Sequence, residues 1–172
     1  MEKSRSIALV GFMGSGKTTI GRLLAEDLAL DFVDLDILIE KTEAKTIAMI
    51  FKELGEDYFR MLETMMLEKT VFMQPSVVAC GGGIVERYEN RKILKENFIV
   101  VYLKASFELC YQRISGDLSR PKAALSKDEL KKLYRKRSPL YLEVAHHVIN
   151  VENKNPETIV KAIKGELQVE KA

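Results

Sequence analysis

The feature that most narrows the folds open to this chain is a short apolar run, Ile7–Val10, that stops at glycine and restarts as a helix. Between the two stands Gly11-Phe12-Met13-Gly14-Ser15-Gly16-Lys17-Thr18, which satisfies G-x-x-x-x-G-K-[ST] at every fixed position. Ile20, Leu23, Leu24 and Leu28 then recur at the spacing of one apolar helix face. A buried strand, a glycine loop and an amphipathic helix in that order open a βαβ unit. Glycines let backbone N–H groups approach a polyphosphate, and the helix N-terminus adds a favourable dipole. Lys17 can reach the β- and γ-phosphates, and the Thr18 hydroxyl can ligate Mg²⁺. The competing reading, a bare glycine turn, is disfavoured by this strand–loop–helix context.

The same alternation continues along the chain. Phe32–Leu35, Val77–Cys80, Phe98–Leu103 and His147–Val151 are further strand candidates. Helical patterns cover Thr46–Leu54, Glu56–Phe72 and Ser106–Ile114, with Gly55 breaking the first from the second. Ser126-x-x-Glu129 is a capping box opening a helix to about Glu143, and Asn155-Pro156 supplies a cap and a first-turn proline for the last helix. This order predicts an α/β protein with a mainly parallel sheet covered on both faces, and ligands beyond the carboxyl ends of its strands. Residues 115–126 contain Gly, Ser and Pro without periodicity and predict a mobile loop. With no repeat and no linker, 1–172 is read as one domain.

Composition removes several classes of function. Among the 172 residues, 27 basic against 25 acidic side chains leave a net charge of +2, which disfavours charge-driven binding to nucleic acid or to a membrane surface. No apolar run approaches the roughly 18 residues of a membrane span. Lys3 and Arg5 ahead of Ile7–Met13 imitate a signal peptide, but Gly11 and Gly14 interrupt the run. The two cysteines, Cys80 and Cys110, have no metal-ligand spacing and read as buried thiols, Cys80 beside the site being open to modification. His146 and His147 have no carboxylates at ligand spacing, and Met49, Met61, Met65, Met66 and Met73 read as core filler. A reduced, cytoplasmic setting follows.

Other residues carry possible chemistry. Asp34-Leu35-Asp36 places two carboxylates on the same side if the strand continues, one for the metal side and one facing an acceptor hydroxyl. Solvated acids at a helix start are the alternative. Gly81-Gly82-Gly83 could be a plain turn, or bare backbone offering N–H donors to a substrate. Glu56 and Arg60 stand at i, i+4 and could simply pair on a helix surface. Arg113, Arg120 and Arg137 lie in the last third, the last of them in a basic run that would ordinarily be a solvated face.

Taken together, these motifs resemble the shikimate kinase family. The phosphate loop, Asp34-x-Asp36, Ile50-Phe51 before Gly55-Glu56, Phe59-Arg60, Gly81-Gly82-Gly83, Arg120-Pro121 and Arg137-Ser138-Pro139-Leu140-Tyr141 occur in the family's order from Ile7 to about Pro156. The resemblance implies a three-layer α/β/α protein with a five-stranded parallel sheet, like the nucleoside-monophosphate kinases. It also implies a monomer that transfers the γ-phosphoryl of ATP to the 3-hydroxyl of shikimate. By the same resemblance Gly14, Ser15, Gly16, Lys17, Thr18 and Thr19 would hold ATP phosphates. Thr18 would ligate Mg²⁺, with Asp34 supporting it through water. Asp36 would be the base, Arg60 and Arg137 would grip the shikimate carboxylate, and Gly82 would offer its backbone. Arg120 would reach the phosphates from a lid at about 115–126, Arg113 would lie near the adenine, and about 36–62 would form a substrate-binding helical segment. Two departures stand out: Arg120-Pro121 is followed by Lys122-Ala123 where the family usually has leucines, and Cys80 stands where threonine or an apolar residue is common. Two rivals stay open. One is a related kinase for gluconate or a nucleoside monophosphate, and the other a nucleotide-binding regulatory module without catalysis.

Overall fold

A computed structural model describes residues 5–115 and 124–171. The elements in chain order are β1 (Ser6–Val10), α1 (Lys17–Leu28), β2 (Asp31–Asp34), α2 (Leu35–Glu43), α3 (Ile47–Leu54), α4 (Glu56–Val71) and β3 (Ser76–Ala79). There follow α5 (Tyr88–Asn97), β4 (Phe98–Lys104), α6 (Phe107–Ile114), α7 (Lys127–Val144), β5 (His147–Asn150) and α8 (Pro156–Lys171). All five strands pair in parallel in the order β2-β3-β1-β4-β5. Every residue of β1 is buried, as a central strand covered on both faces requires. Right-handed crossovers send the chain outward over one face through α1 and back over the other through α5. Accordingly α1 packs on β3 and α8, while α5 and α7 pack on β4 and on each other. The connection leaving β1 runs toward β2 while that leaving its neighbour β3 runs the opposite way to β4, so the crevice beyond the ends of β1 and β3 is where a ligand belongs.

Short polar side chains begin most of the helices. Thr46 accepts from Met49 N, Ser106 from Leu109 N, and Asn155 Oδ1 from Thr158 N. At α7 the capping box closes reciprocally: Ser126 Oγ accepts from Glu129 N at 3.2 Å, and Glu129 Oε2 accepts from Ser126 N at 2.8 Å. No helix among the described residues is long and apolar enough to cross a membrane.

The structure departs from the sequence expectations in three places. The second strand ends at Asp34 rather than Leu35, because the Asp34 carboxylate caps α2 and Leu35 is already helical. The helix α5 matches no periodic pattern; it is mostly charged and turns only a few residues inward, Asn90 and Leu94 among them. The methionines are not core filler as a group. Met66 is buried, but Met49 on α3, Met61 and Met65 on α4, and Met73 just after α4 are exposed, Met65 to 50%. Arg120 and most of the 115–126 loop lie outside the described residues.

The capping box yields a direct stability test. Ser126→Ala removes the hydroxyl that accepts from Glu129 N, and should lower the unfolding free energy by about 1 kcal/mol. Urea denaturation should show a reduced midpoint at unchanged slope; an unchanged midpoint would mean the cap contributes nothing.

Candidate active site

The loop after β1 and the start of α1 form one end of a cavity of about 330 Å³. Gly16 precedes α1 in a left-handed conformation (φ 99°), and no side chain caps the helix, so its first N–H groups face the cavity. The first turn of α1 holds no acidic residue, which keeps its positive dipole end clear for an anion. Lys17 is buried and bends over the loop, donating to the carbonyls of Gly11 at 2.7 Å and Phe12 at 3.0 Å. Ser15 Oγ is buried with no hydrogen-bond partner. Arg113, from the end of α6, donates to Gly14 O at 3.1 Å and lines the cavity beside Lys154, Pro156 and Ile159.

Asp34 and Asp36 divide their work by a route the sequence did not suggest. Asp34 Oδ1 accepts from the backbone N–H groups of Asp36 (3.0 Å) and Ile37 (3.2 Å), fixing the turn from β2 into α2. Its other oxygen accepts from Thr18 Oγ1 at 2.9 Å. Asp36, in the first turn of α2, points instead to Gly81. The pair therefore faces two ends of the cavity because a helix starts between them, not because a strand continues. Thr18 and Asp34 offer only oxygen at the mouth of the phosphate loop, the donor set Mg²⁺ prefers. Among the described residues no group of three acidic, cysteine or histidine side chains is arranged to hold a metal ion, so a metal here would draw its remaining ligands from phosphate and water.

Gly81-Gly82-Gly83 has a meaning beyond bare backbone: three sets of side chains pack on it. A methyl on Gly81 would stand 2.9 Å from Glu63 Oε2 and 3.0 Å from Asp36 Oδ1. One on Gly82 would meet Arg137 Nη1 at 3.4 Å, and one on Gly83 would collide with the Arg60 guanidinium, at 2.2 Å from Nη1. Tyr141 Oη donates to Gly82 O at 2.5 Å, tying the glycines to α7. Asp36, Arg60 and Arg137 thus meet from α2, α4 and α7. Arg60 does pair with Glu56, at 3.1 Å, but it is buried and also pairs with Glu63, so it is not simply a surface ion pair. Arg137 is buried to 1% exposure despite its basic run.

Two acids here have no assignment from the sequence. Glu63, 1% exposed, holds Arg60 Nη1 with Oε1 while Oε2 has no partner. Burial raises the Glu63 carboxyl, Arg60 pulls it down and Asp36 raises it again, leaving it at about 7. Glu86 accepts from Arg137 Nε at 3.2 Å and lies 3.6 Å from Arg60 Nε. Burial raises Glu86 as well, but the fields of Arg137 and Arg60 outweigh it and hold the group below the usual carboxylate range. The i+3 spacing from Arg60 is a signal that could have found Glu63; Glu86 leaves none.

The remaining sequence candidates lie elsewhere or are inert. Cys80 and Cys110 are buried; burial drives both thiols upward, Cys110 to about 11, so neither holds much thiolate at neutral pH and Cys80 is not poised for modification. His146 Nδ1 accepts from Val100 N, and His147 Nδ1 lies 3.4 Å from Glu166, both far along the sheet edge.

A parallel sheet with a phosphate loop beyond its central strand, and an acid–arginine cluster across the same crevice, defines a phosphate-loop kinase. The comparisons narrow the class. A shikimate kinase family model matches residues 13–168. The shikimate kinase of Persephonella marina is 44% identical over 95% of this chain and 99% of its own. The shikimate kinase from Acinetobacter baumannii, solved in complex with shikimate, superposes with a TM-score of 0.95 at 39% identity, covering 99% of this chain and 96% of that one. The Aquifex aeolicus enzyme superposes at 0.85 and 34% identity, over 95% and 96%. A gluconokinase from Sinorhizobium meliloti, at 0.59 and 18% over 98% and 95%, shares the fold alone. The chain belongs to the shikimate kinase family. Membership removes the regulatory-module reading and the gluconate and nucleotide acceptors considered from the sequence.

The raised Glu63 carboxyl makes a signed prediction. Between its ordinary range and about pH 7 the folded protein keeps a proton that the unfolded chain has released, so this group's contribution to stability is present at low pH and lost as pH rises to 7. The change is on the order of 3 kcal/mol across the window. Glu63→Gln, which cannot titrate, should therefore gain in Tm relative to wild type between pH 5 and 8. A difference that stays flat or falls over that range would show that Glu63 is not raised.

Proposed function

We propose that this chain transfers the γ-phosphoryl of ATP to the 3-hydroxyl of shikimate, giving shikimate 3-phosphate and ADP on the route to chorismate and the aromatic amino acids. The observation that carries the reading is one arrangement: a cavity with the phosphate loop at one end and Asp36, Gly81 and Gly82 at the other, and two buried arginines, Arg137 and Arg60, packed on Gly82 and the adjoining Gly83. In this reading Gly14–Thr19 bind the ATP phosphates, Lys17 neutralises the β- and γ-oxygens, and Arg113 lies along the base. Mg²⁺, held by Thr18 directly and by Asp34 through water, would supply charge neutralisation between the phosphates.

The acceptor is positioned by charge and geometry. Arg60 and Arg137 offer guanidinium edges to a carboxylate, and the Gly82 backbone borders the ring. Asp36 orients the 3-hydroxyl and takes its proton as the new O–P bond forms. Phosphoryl transfer needs little else from a protein beyond positioning and electrostatic stabilisation. Arg120, on the 115–126 loop, would enter as that loop closes and keeps water from the phosphoryl group. The proposal includes one domain over residues 1–172, a substrate-binding segment at about 36–62, a monomeric state, a cytoplasmic location, and no nucleic-acid or membrane partner.

ADP release measured with a panel of polyhydroxy acids, sugars and nucleoside monophosphates tests the activity: turnover with shikimate alone supports it, and turnover preferring another acceptor overturns it. Asp36→Asn should lower kcat by ~10²–10⁴-fold with ATP affinity little changed. Loss of ATP affinity at unchanged kcat would move Asp36 to the metal side. Arg137→Ala should raise the shikimate KM by ~10–100-fold, the effect of one charge-assisted hydrogen bond to a carboxylate; an unchanged KM would remove Arg137 from the substrate.

A further inference from the structure

The two arginines at the acceptor end are joined by a third residue. Glu86 stands between them, with Oε1 3.2 Å from Arg137 Nε and Oε2 3.6 Å from Arg60 Nε. Both contacts are made at Nε, the stem side of each guanidinium. The terminal nitrogens point away from Glu86: Arg137 Nη1 lies toward Gly82 and Arg60 Nη1 over Gly83, and on Arg60 each already holds one acid, Nη1 Glu63 and Nη2 Glu56, which leaves a second N–H on each. Among the described residues Glu86 is the only acid within ion-pair distance of Arg137, which is buried and cannot be left without a counter-charge. Arg60, by contrast, has Glu56 and Glu63 as well.

Glu86 is itself held in place. Its N–H donates to Gly83 O at 3.0 Å, and Arg91 Nη1 donates to the carbonyls of Val85 at 2.8 Å and Glu86 at 3.2 Å. The carboxylate is therefore fixed to the same turn that carries the glycines. Lys136 reaches Glu86 Oε1 at 3.4 Å from the solvent side, but it is exposed and adds little.

We infer that Glu86 is a positioning residue that sets the two guanidiniums, arriving from α4 and α7, as one carboxylate-binding fork. Resting on the function proposed above, this inference deepens it by naming what orients the fork. Two like charges converging on one small site repel. A carboxylate between their stems offsets that repulsion while the site is empty, and leaves the outer N–H groups for an incoming carboxylate. Without Glu86, Arg137 loses its one acidic partner among the described residues, and the acceptor must order both side chains on binding.

The test compares wild type, Glu86→Ala and Glu86→Gln on two acceptors: shikimate, and its carbinol with –CH₂OH in place of the carboxylate. With shikimate, Glu86→Ala should raise KM by ~10–100-fold and change kcat by less than ~3-fold, with the ATP KM unmoved. Glu86→Gln keeps an oxygen for Arg137 Nε but removes the counter-charge, so it should recover only part of that loss and stay above the wild-type KM. With the carbinol, which cannot use the fork, the kcat/KM of Glu86→Ala should fall by less than ~3-fold. Equal losses on both acceptors, a fall confined to kcat, or a wild-type KM in Glu86→Ala would each overturn the positioning role. Thermal melts of the three proteins identify a variant that fails to fold, in which case Glu86→Gln carries the comparison. Wild-type turnover, measured first, separates the two claims: absent turnover on shikimate defeats the function and this inference together. Normal turnover with an unaffected Glu86→Ala defeats only the inference.

Discussion

Asp36, Arg60, Glu63 and Arg137 reach one another only because Gly81, Gly82 and Gly83 have no side chains to keep them apart. A methyl group on Gly83 would occupy the Arg60 guanidinium, and one on Gly81 would fall within 3 Å of two carboxylate oxygens. The glycine turn is in turn held by Tyr141 on Gly82 O and by the N–H groups of Ile84 and Glu86 on the carbonyls of Gly81 and Gly83. The acceptor end is thus a convergence of α2, α4 and α7 on one stretch of backbone that follows β3. The parallel sheet then sets how far that stretch stands from the phosphate loop, because β1 and β3 are hydrogen-bonded neighbours.

Electrostatics at this end are finely divided. Among the described residues Arg60 has three acidic neighbours and Arg137 one, so the arginines bring little uncompensated positive charge of their own. If Arg60 and Arg137 grip a carboxylate as proposed, the selectivity comes from the direction of their remaining N–H groups rather than from net charge. Glu63 belongs to the same economy of charge: burial and Asp36 oppose its ionisation, while Arg60 favours it. At the other end the uncapped start of α1 and the Lys17 ammonium leave a strongly anion-seeking loop, with Thr18 and Asp34 as the oxygen donors nearest to it. The two ends therefore suit a polyphosphate and a monocarboxylate respectively.

Much of this was legible in the sequence because the signals were local. The phosphate loop, the capping box at Ser126 and the asparagine cap at Asn155 each lie within a few residues and recur in the structure where the spacing puts them. Signals depending on distant partners were not. Asp34 and Asp36 read as one side of a continuing strand until the Asp34 carboxylate is seen capping α2. Arg137 reads as one of a solvated run until α7 turns it inward toward Glu86. The helix α5 gives almost no hydrophobic periodicity, because its few inward residues include a polar one, Asn90. The exposed methionines show the opposite error: composition suggests burial, but α3 and α4 cover only part of their own apolar surface.

In the proposed reaction Asp36 and the two arginines aim one particular hydroxyl of shikimate at the γ-phosphorus. A phosphorus–proton correlation spectrum of the product formed from ATP and shikimate tests this most directly. The expected products are ADP and a single phosphate monoester coupled to the proton on carbon 3. Coupling to the proton on carbon 4 or 5, or release of inorganic phosphate in place of an ester, would contradict it.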